Sequence, residues 1–157
     1  MKKIKIKISI FIYFILTNSF RVVAKFYLSQ RLKHDKETPI SIKQKLALNM
    51  PVKIGKNLIW IHSASVGEAF TGLTVAEIIL HNFPEFNILL TTSTITSADI
   101  INNSKNKNII HQFLPLDVEA YIHKFLKHWN PELCIFMESE MWPNYFLQIE
   151  KSKIPFY

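Results

Sequence analysis

The fold of this chain is decided by the stretch Ile59-Trp-Ile-His-Ser-Ala-Ser-Val-Gly-Glu68. It starts with the apolar and aromatic residues of a buried strand and passes through a short polar turn into the start of a helix. In open α/β sheets, ligands bind beyond the carboxyl ends of the strands. The stretch therefore predicts a parallel α/β fold and the edge of the sheet at which a functional site lies.

The alternation of apolar strands and helices continues along the rest of the chain. Continuous apolar strands separated by helices of about ten to fifteen residues indicate a parallel sheet with helices on both faces. Right-handed crossovers then bring every strand-to-helix turn to one edge. We interpret residues 57–157 as a Rossmann-like domain with an incomplete sheet, in which a last strand is just beginning at 154–157. The predicted strands are 58–62, 87–92, 109–114 and 133–137, and the predicted helices are 67–81, 96–103, 118–129 and 144–151.

Residues 1–32 form a separate segment that is both basic and apolar. Residues 1–36 hold nine Lys or Arg against a single Asp, whereas the whole chain carries a net charge of +7. An apolar run at 8–20 lies between Lys7 and Arg21, and it is shorter than the roughly 20 residues that cross a bilayer comfortably. We interpret residues 1–32 as a membrane-anchor helix whose flanking cations snorkel. A cleaved signal peptide and an interfacial helix on an anionic leaflet are the alternatives.

Composition excludes several classes of function. The N-terminal cations are interleaved with Ile, Phe, Tyr and Val, so the pattern favours a membrane surface rather than nucleic acid as the partner. Residues 33–56 are polar and interrupted by prolines, and we interpret them as a linker with a short helix around 42–49. Cys134 is the single cysteine, which excludes an intramolecular disulfide and a cysteine-based metal site. The six histidines show no metal-ligand spacing, so no metal site is expected.

The turn Ser65-Val-Gly-Glu68 has the spacing of a capping box, in which serine and glutamate bind the free amides at the start of a helix. A functional interpretation is the alternative. Gly67 would let a ligand approach the backbone closely, and Glu68, ionised beside the helix dipole, would act as a general base. In a further interpretation, residues 63–67 are a degenerate form of the G-x-S-x-G nucleophile elbow of α/β-hydrolases. Ser65 would be the nucleophile, and Ser63 stands where the motif has its first glycine. The spacing alone leaves these alternatives open.

A second polar turn, Glu138-Ser-Glu-Met-Trp-Pro-Asn144, follows the last of these four strands. Two carboxylates beside an indole and an amide suit a polyhydroxylated ligand, which they would bind through hydrogen bonds and a stacking face. Glu138, Glu140, Trp142 and Asn144 are therefore candidate binding residues. Alternatively, Trp142 is a structural residue whose side chain is buried, and Pro143 is the first residue of the next helix.

Four segments in this order resemble the 3-deoxy-D-manno-octulosonic acid (Kdo) transferases of lipopolysaccharide synthesis. They are Trp60-Ile-His-Ser-Ala-Ser-Val-Gly-Glu68, Thr91-Thr-Ser-Thr94, Leu114-Pro-Leu-Asp117 and Glu138-Ser-Glu-Met-Trp-Pro-Asn144. The resemblance implies a GT-B glycosyltransferase of two Rossmann-like domains, of which this chain holds the N-terminal, acceptor-binding one. It also implies transfer of Kdo from CMP-Kdo to a lipid A precursor (lipid IVA), with inversion and without a metal or other cofactor. The implied location is the cytoplasmic face of the inner membrane.

The resemblance assigns roles to two carboxylates, with Glu68 as the general base and Glu138 as the transition-state stabiliser. The candidate substrate-binding residues are Ser65, Gly67, Glu140, Trp142 and Asn144. The CMP-binding residues of the family belong to the C-terminal domain, which is absent from this chain. The predicted function is therefore the acceptor-domain portion of an inverting glycosyltransferase. The alternative is a non-enzymatic, truncated remnant that binds lipid at the membrane.

Overall fold

The computed structural model of the chain describes residues 2–137 and 142–157, with side chains from residue 12 onward. These residues form four strands, β1 (Leu58–Ser63), β2 (Asn87–Thr92), β3 (Ile109–Phe113) and β4 (Leu133–Phe136). They also form six helices, α1 (Lys2–Lys33), α2 (Pro39–Lys45), α3 (Val66–Asn82), α4 (Ile95–Asn102), α5 (Glu119–Trp129) and α6 (Pro143–Lys151). The strands pair in parallel in the order β3-β2-β1-β4.

The parallel sheet confirms the predicted α/β class. Every strand and helix predicted between residues 58 and 151 is present, with its ends shifted by one residue at most. The short helix α2 begins earlier than the predicted 42–49, because the side chains of Thr38 and Ser41 form a capping box and Pro39 opens the helix. Local capping chemistry therefore sets the start of α2.

Apolar side chains cover both faces of the sheet, as the uninterrupted apolar strands predict. On one face, Trp60 of β1 packs edge-on against Phe125 of α5, with ring centroids 4.9 Å apart. On the other face, Ile61 and Leu90 contact Ala69 and Ala76 of α3. Because both faces of the sheet are covered, a ligand is expected at the carboxyl ends of the strands.

The strand predicted to begin near the end of the chain is also confirmed. Phe156 forms a parallel bridge with Cys134, and the Cys134 amide donates to the Pro155 carbonyl at 2.9 Å. Cys134 itself is fully buried, and this burial raises the pKa of its thiol to about 12. It is the small buried hydrophobe that its apolar strand indicated.

Residues 1–32 are the segment that the sequence predicts as a membrane-anchor helix. The segment is helical, but none of the helices in the described part of the chain is long and apolar enough to cross a membrane. The polar run Thr17-Asn-Ser19 and the cations Arg21 and Lys25 interrupt its apolar character.

The second half of α1 is docked on the α/β core. Ala24 and Leu28 are buried in a small apolar cluster with residues of α2, its following turn and the start of α5. The Arg21 guanidinium lies over the ring of Tyr121, 5.9 Å from its centroid. The segment 33–56, which the sequence analysis treats as a linker, also contacts the sheet, since the Phe113 amide donates to Gln44 Oε1 at 2.8 Å.

Candidate functional site

Glu68 lies in the turn that connects β1 to α3, at the carboxyl edge of the sheet. The turn is a complete capping box, in which the Glu68 amide donates to Ser65 Oγ at 3.3 Å. In return, the Ser65 amide donates to Glu68 Oε1 at 3.2 Å, and the Ala64 amide donates to Oε2 at 2.7 Å. The capping interpretation is therefore confirmed, and both carboxylate oxygens have a fixed position.

The same hydrogen bonds set the charge of this carboxylate. Partial burial, the largest single influence, would raise the pKa of Glu68. The hydrogen bonds from the Ser65 side chain and from the Ala64 and Ser65 amides together outweigh burial and lower the pKa below its usual value. A carboxylate has about four lone-pair sites, so these bonds leave acceptor capacity for a hydroxyl group of a ligand. Capping and general-base catalysis are thus compatible roles for Glu68.

The surface beside Glu68 is open at Gly67. A Cβ atom added to Gly67 would meet no other atom within 4 Å, and its φ angle lies outside the left-handed region. By contrast, a Cβ atom on Gly72 would lie 2.5 Å from Ser63 Oγ. Packing therefore requires glycine at 72 but not at 67. The missing side chain at Gly67 leaves room for another molecule next to the carboxylate.

His62 lies directly before this turn, and it is not among the site residues predicted from the sequence. Its Nδ1 lies 3.0 Å from Thr91 Oγ1, which also accepts a hydrogen bond of 2.8 Å from Trp60 Nε1. Burial lowers the pKa of His62 to about 4, so the imidazole is neutral at physiological pH. Its Nε2 has no hydrogen-bond partner among the residues that the structure describes. A polar residue at the end of an otherwise apolar strand was the available sequence signal.

Met137, which directly follows β4, lies beside β1 at the edge that carries the Glu68 turn. Strands β1 and β4 are neighbours in the sheet, and the Met137 amide donates to the His62 carbonyl at 3.0 Å. The structure thus brings Glu68, Trp142 and Asn144 to the same edge. Glu138 and Glu140 lie outside the described residues, so their roles as stabiliser and ligand-binding residue stay predictions.

Trp142 and Asn144 differ in their exposure. Trp142 is the N-cap residue of α6, Pro143 occupies the first turn, and the indole is partly exposed. Asn144 is fully buried, and its Nδ2 donates to the Asp117 carbonyl at 2.7 Å and to Thr17 Oγ1 at 3.1 Å. The side-chain amide of Asn144 thus joins α6 to α1 and to the loop before α5.

The Asp117 carboxylate also takes part in the contact between α6 and α1. Asp117 does not cap α5, since Val118 is the N-cap of that helix and makes no side-chain capping bond. The Asp117 carboxylate instead accepts from the Asn144 amide at 3.4 Å, from the Tyr145 amide at 3.2 Å and from the Tyr13 hydroxyl. It therefore caps α6 and joins it to α1. Sequence separation hid this role, because its partners are 27 to 104 positions away.

Comparison with protein families identifies the chain. The family model of 3-deoxy-D-manno-octulosonic-acid transferase (kdotransferase) matches residues 28–157. The chain belongs to this family. The matched region includes the whole sheet, the Glu68 turn and the segment around Trp142.

Curated relatives agree with the family match. The Kdo transferase of Rickettsia felis is 44% identical over 96 residues, which cover 61% of this chain and 21% of that protein. The Haemophilus influenzae enzyme is 37% identical over 98 residues, covering 62% of this chain and 23% of that protein. A probable mitochondrial Kdo transferase of Arabidopsis thaliana is 36% identical over 99 residues, covering 63% and 22%. The aligned segment is thus about a fifth of each relative.

Metal ligands do not cluster in the part of the chain that the structure describes, where no group of three His, Cys, Asp or Glu side chains is placed to hold an ion. His62 and His111 are both held neutral by burial, which lowers the pKa of each to about 4. Their ring nitrogens contact threonine side chains of β2, since His111 Nε2 lies 2.8 Å from Thr92 Oγ1. Both histidines therefore take part in the polar contacts at the carboxyl end of β2.

Proposed function

We propose that this chain is the acceptor-domain portion of an inverting Kdo transferase of GT-B architecture. The observation that carries the proposal is Glu68, an ionised carboxylate fixed at the carboxyl edge of the sheet next to the open surface at Gly67. Membership of the Kdo transferase family supports the reaction class. The proposed donor is CMP-Kdo, and the proposed acceptor is a lipid A precursor such as lipid IVA.

The proposed reaction inverts the anomeric carbon of Kdo. A glucosamine hydroxyl of the acceptor attacks this carbon from the face opposite CMP, so that a new oxygen–carbon bond forms. The bond between the anomeric carbon and the CMP phosphate oxygen breaks, and CMP leaves with the electron pair. Glu68 takes the proton of the attacking hydroxyl as general base. Glu138, by the family resemblance, stabilises the positive charge that develops on the sugar.

Substrate positioning would involve both sides of this edge. Ser65 holds the turn through its capping bond, and Gly67 provides space for the acceptor. Trp142 offers a partly exposed indole face for stacking against a sugar, and Glu140 would accept hydrogen bonds from hydroxyl groups. Asn144 would contribute by fixing the start of α6, since its side-chain Nδ2 donates to Asp117 and Thr17.

The proposed location is the cytoplasmic face of the inner membrane, with α1 lying on the lipid surface. Several large apolar side chains of α1 are exposed, including Val22 and Phe26, while Arg21 and Lys25 supply cations for anionic headgroups. The alternative function, lipid binding without catalysis, shares this membrane contact. A transfer assay separates the two functions, because only the enzyme forms the glycosidic bond.

The test is reconstitution with the C-terminal domain that binds CMP in this family, supplied as a second polypeptide. The mixture is incubated with CMP-Kdo and lipid IVA in detergent, and the mass of the lipid product is measured by mass spectrometry. We expect the mass of the acceptor to increase by one or more Kdo units only when both polypeptides are present. Absence of transfer from a mixture in which the two polypeptides bind each other would contradict the proposal.

A further inference from the structure

Two polar side chains of α1 contact residues at the start of α6. The Tyr13 hydroxyl donates to Asp117 Oδ2, and Thr17 Oγ1 accepts a hydrogen bond of 3.1 Å from Asn144 Nδ2. Tyr13 and Thr17 are four positions apart, so they lie on the same face of α1. Both are partly buried, whereas Leu16, which lies between them in the sequence, is 62% exposed. This face of α1 is therefore turned towards α6.

Asp117 supplies the cap of α6, and its carboxylate is held by α1. Trp142, the N-cap residue, makes no side-chain capping hydrogen bond. The Asp117 carboxylate instead accepts from the Asn144 and Tyr145 amides, at 3.4 and 3.2 Å. Burial raises the pKa of the Asp117 carboxyl group, and the hydrogen bond from Tyr13 is the strongest influence that opposes this and favours the charged acceptor. The position and the charge of the cap thus depend on α1.

Thr17 holds the Asn144 side chain in a similar way. The Thr17 hydroxyl donates to the Tyr13 carbonyl at 3.0 Å within α1, so its oxygen can accept from Asn144 Nδ2. Asn144 is fully buried, and its Nδ2 also donates to the Asp117 carbonyl at 2.7 Å. A buried amide that loses a partner is costly, so both contacts keep the side chain in one position.

Trp142 is the residue of the proposed site whose position follows from the start of α6. Only Pro143 separates it from Asn144, and the proline ring fixes the φ angle at about −65°. Trp142 and Asp117 also line a cavity of about 260 Å³ between α1 and the carboxyl edge of the sheet. A shift in the start of α6 would therefore move the indole relative to Glu68. In an enzyme site, misplacement by about 1 Å can reduce the rate about 10²-fold.

We propose that Tyr13 and Thr17 are positioning residues of the Kdo-transfer site, which hold the start of α6, and with it Trp142, in place through Asp117 and Asn144. Both act through other residues, so neither is a catalytic residue. Helix α1 is then a structural part of the site, in addition to the lipid contact proposed for its exposed face. The effect on Kdo transfer rests on the proposed function, whereas the support of Trp142 by α1 does not.

Steady-state kinetics of the reconstituted mixture in detergent test the proposal. The variant Tyr13→Phe/Thr17→Val removes two hydroxyl groups and leaves the exposed apolar face of α1 intact. We expect it to raise the KM of the lipid acceptor about 10-fold and to change kcat by less than about 2-fold. The reason is that Trp142 would contact the acceptor in the ground state and the transition state alike, whereas Glu68 is held by its own capping box.

Two matched controls remove hydroxyl groups elsewhere or keep the one in question. In Tyr121→Phe/Thr74→Val, phenylalanine keeps the contact of the ring with Arg21 of α1, and the lost Thr74 hydroxyl bonds within its own helix. Thr17→Ser keeps the hydroxyl that accepts from Asn144. We expect the acceptor KM of both controls to stay within about 2-fold of the wild-type value.

Acrylamide quenching of tryptophan fluorescence measures the exposure of Trp142 without Kdo transfer. Trp60 and Trp129 are fully buried, so quenching reports mainly on Trp142, which is 37% exposed. We expect a higher quenching constant in the 157-residue chain with Tyr13→Phe/Thr17→Val than in the wild type or in Tyr121→Phe/Thr74→Val. If thermal unfolding shows that the double variant of α1 does not fold, Thr17→Val replaces it in both measurements.

Three results would overturn the proposal, each measured in a folded variant. They are an acceptor KM equal to that of Tyr121→Phe/Thr74→Val, a quenching constant equal to that of the same control, and a KM increase in Thr17→Ser as large as in Thr17→Val. Failure of the proposed function is distinguishable. Altered quenching with no transfer from the wild-type mixture contradicts the enzyme and leaves α1 as the support of Trp142. Wild-type transfer with an unaltered acceptor KM in the α1 variant contradicts only the positioning role.

Discussion

At the scale of single residues, the capping box shows how one side chain can stabilise the start of a helix and still be accessible to a ligand. The hydrogen bonds that hold Glu68 at the start of α3 also keep it ionised and aimed at the edge of the sheet. A capping glutamate is ordinary, but one beside the open surface at Gly67 is also accessible to a ligand. The sequence spacing could predict the cap, whereas only the structure separates Gly67 from Gly72, which packing requires.

The two buried histidines predict how stability depends on pH. Burial lowers the pKa of His62 and His111 from 6.5 to about 4 in the folded chain. Between these values the unfolded chain binds protons that the folded chain does not, so the free energy of unfolding falls as the pH decreases. Each histidine contributes a slope of up to about 1.4 kcal/mol per pH unit. Urea unfolding measured from pH 7 to pH 4 checks this prediction. The double variant His62→Gln/His111→Gln should show a shallower slope, and an unchanged slope would contradict it.

At the scale of elements, long-range contacts of α1 and α6 could not be predicted from local patterns. The strands and most helices follow from apolar periodicity and caps, which involve residues close in sequence. The Tyr13–Asp117 contact joins positions 104 apart. The ion pairs of Glu37 with Arg31 and Lys45 connect α1 to residues 33–56, whose polar composition suggested a linker. Composition alone could not show that this segment packs against the sheet.

Asp117 provides a test of how the elements are joined. Asp117→Ala removes the acceptor of two α6 amides and of the Tyr13 hydroxyl, so we expect a loss of about 2–3 kcal/mol in the free energy of unfolding. Asp99→Ala on the exposed face of α4 is the matched control, with an expected change within about 0.5 kcal/mol. Chemical denaturation measures both variants. Equal stability of the two would show that Asp117 does not hold α6 and α1 in place.

The exposed apolar face of α1 predicts binding to lipid surfaces. Val22 is 84% exposed and Phe26 is 66% exposed, so Val22→Ser/Phe26→Ser should reduce co-flotation with anionic vesicles several-fold while leaving the thermal unfolding midpoint nearly unchanged. Leu48→Ser is the control, because Leu48 is also 66% exposed but lies outside α1. Equal flotation of the double variant and of the control would contradict a membrane role for this face.

At the scale of the whole molecule, the strand order β3-β2-β1-β4 makes β1, which leads into the Glu68 turn, a neighbour of β4. The continuous apolar strands predicted that the strand-to-helix turns share one edge, but they did not predict the order of the strands. The cavity between α1 and this edge was not predictable, since it depends on where α1 docks. Family membership and the site geometry together support a Kdo-transferring acceptor domain.

The most direct test of this account compares Glu68→Gln with Glu77→Gln in the reconstituted transfer assay. Glutamine at 68 can still complete a capping box but cannot accept the proton, whereas Glu77 is an exposed glutamate of the same helix. We expect kcat for Kdo transfer to fall about 10²- to 10⁴-fold in Glu68→Gln, with little change in stability, and to stay near the wild-type value in Glu77→Gln. Wild-type kcat in folded Glu68→Gln would contradict the assignment of Glu68 as the general base.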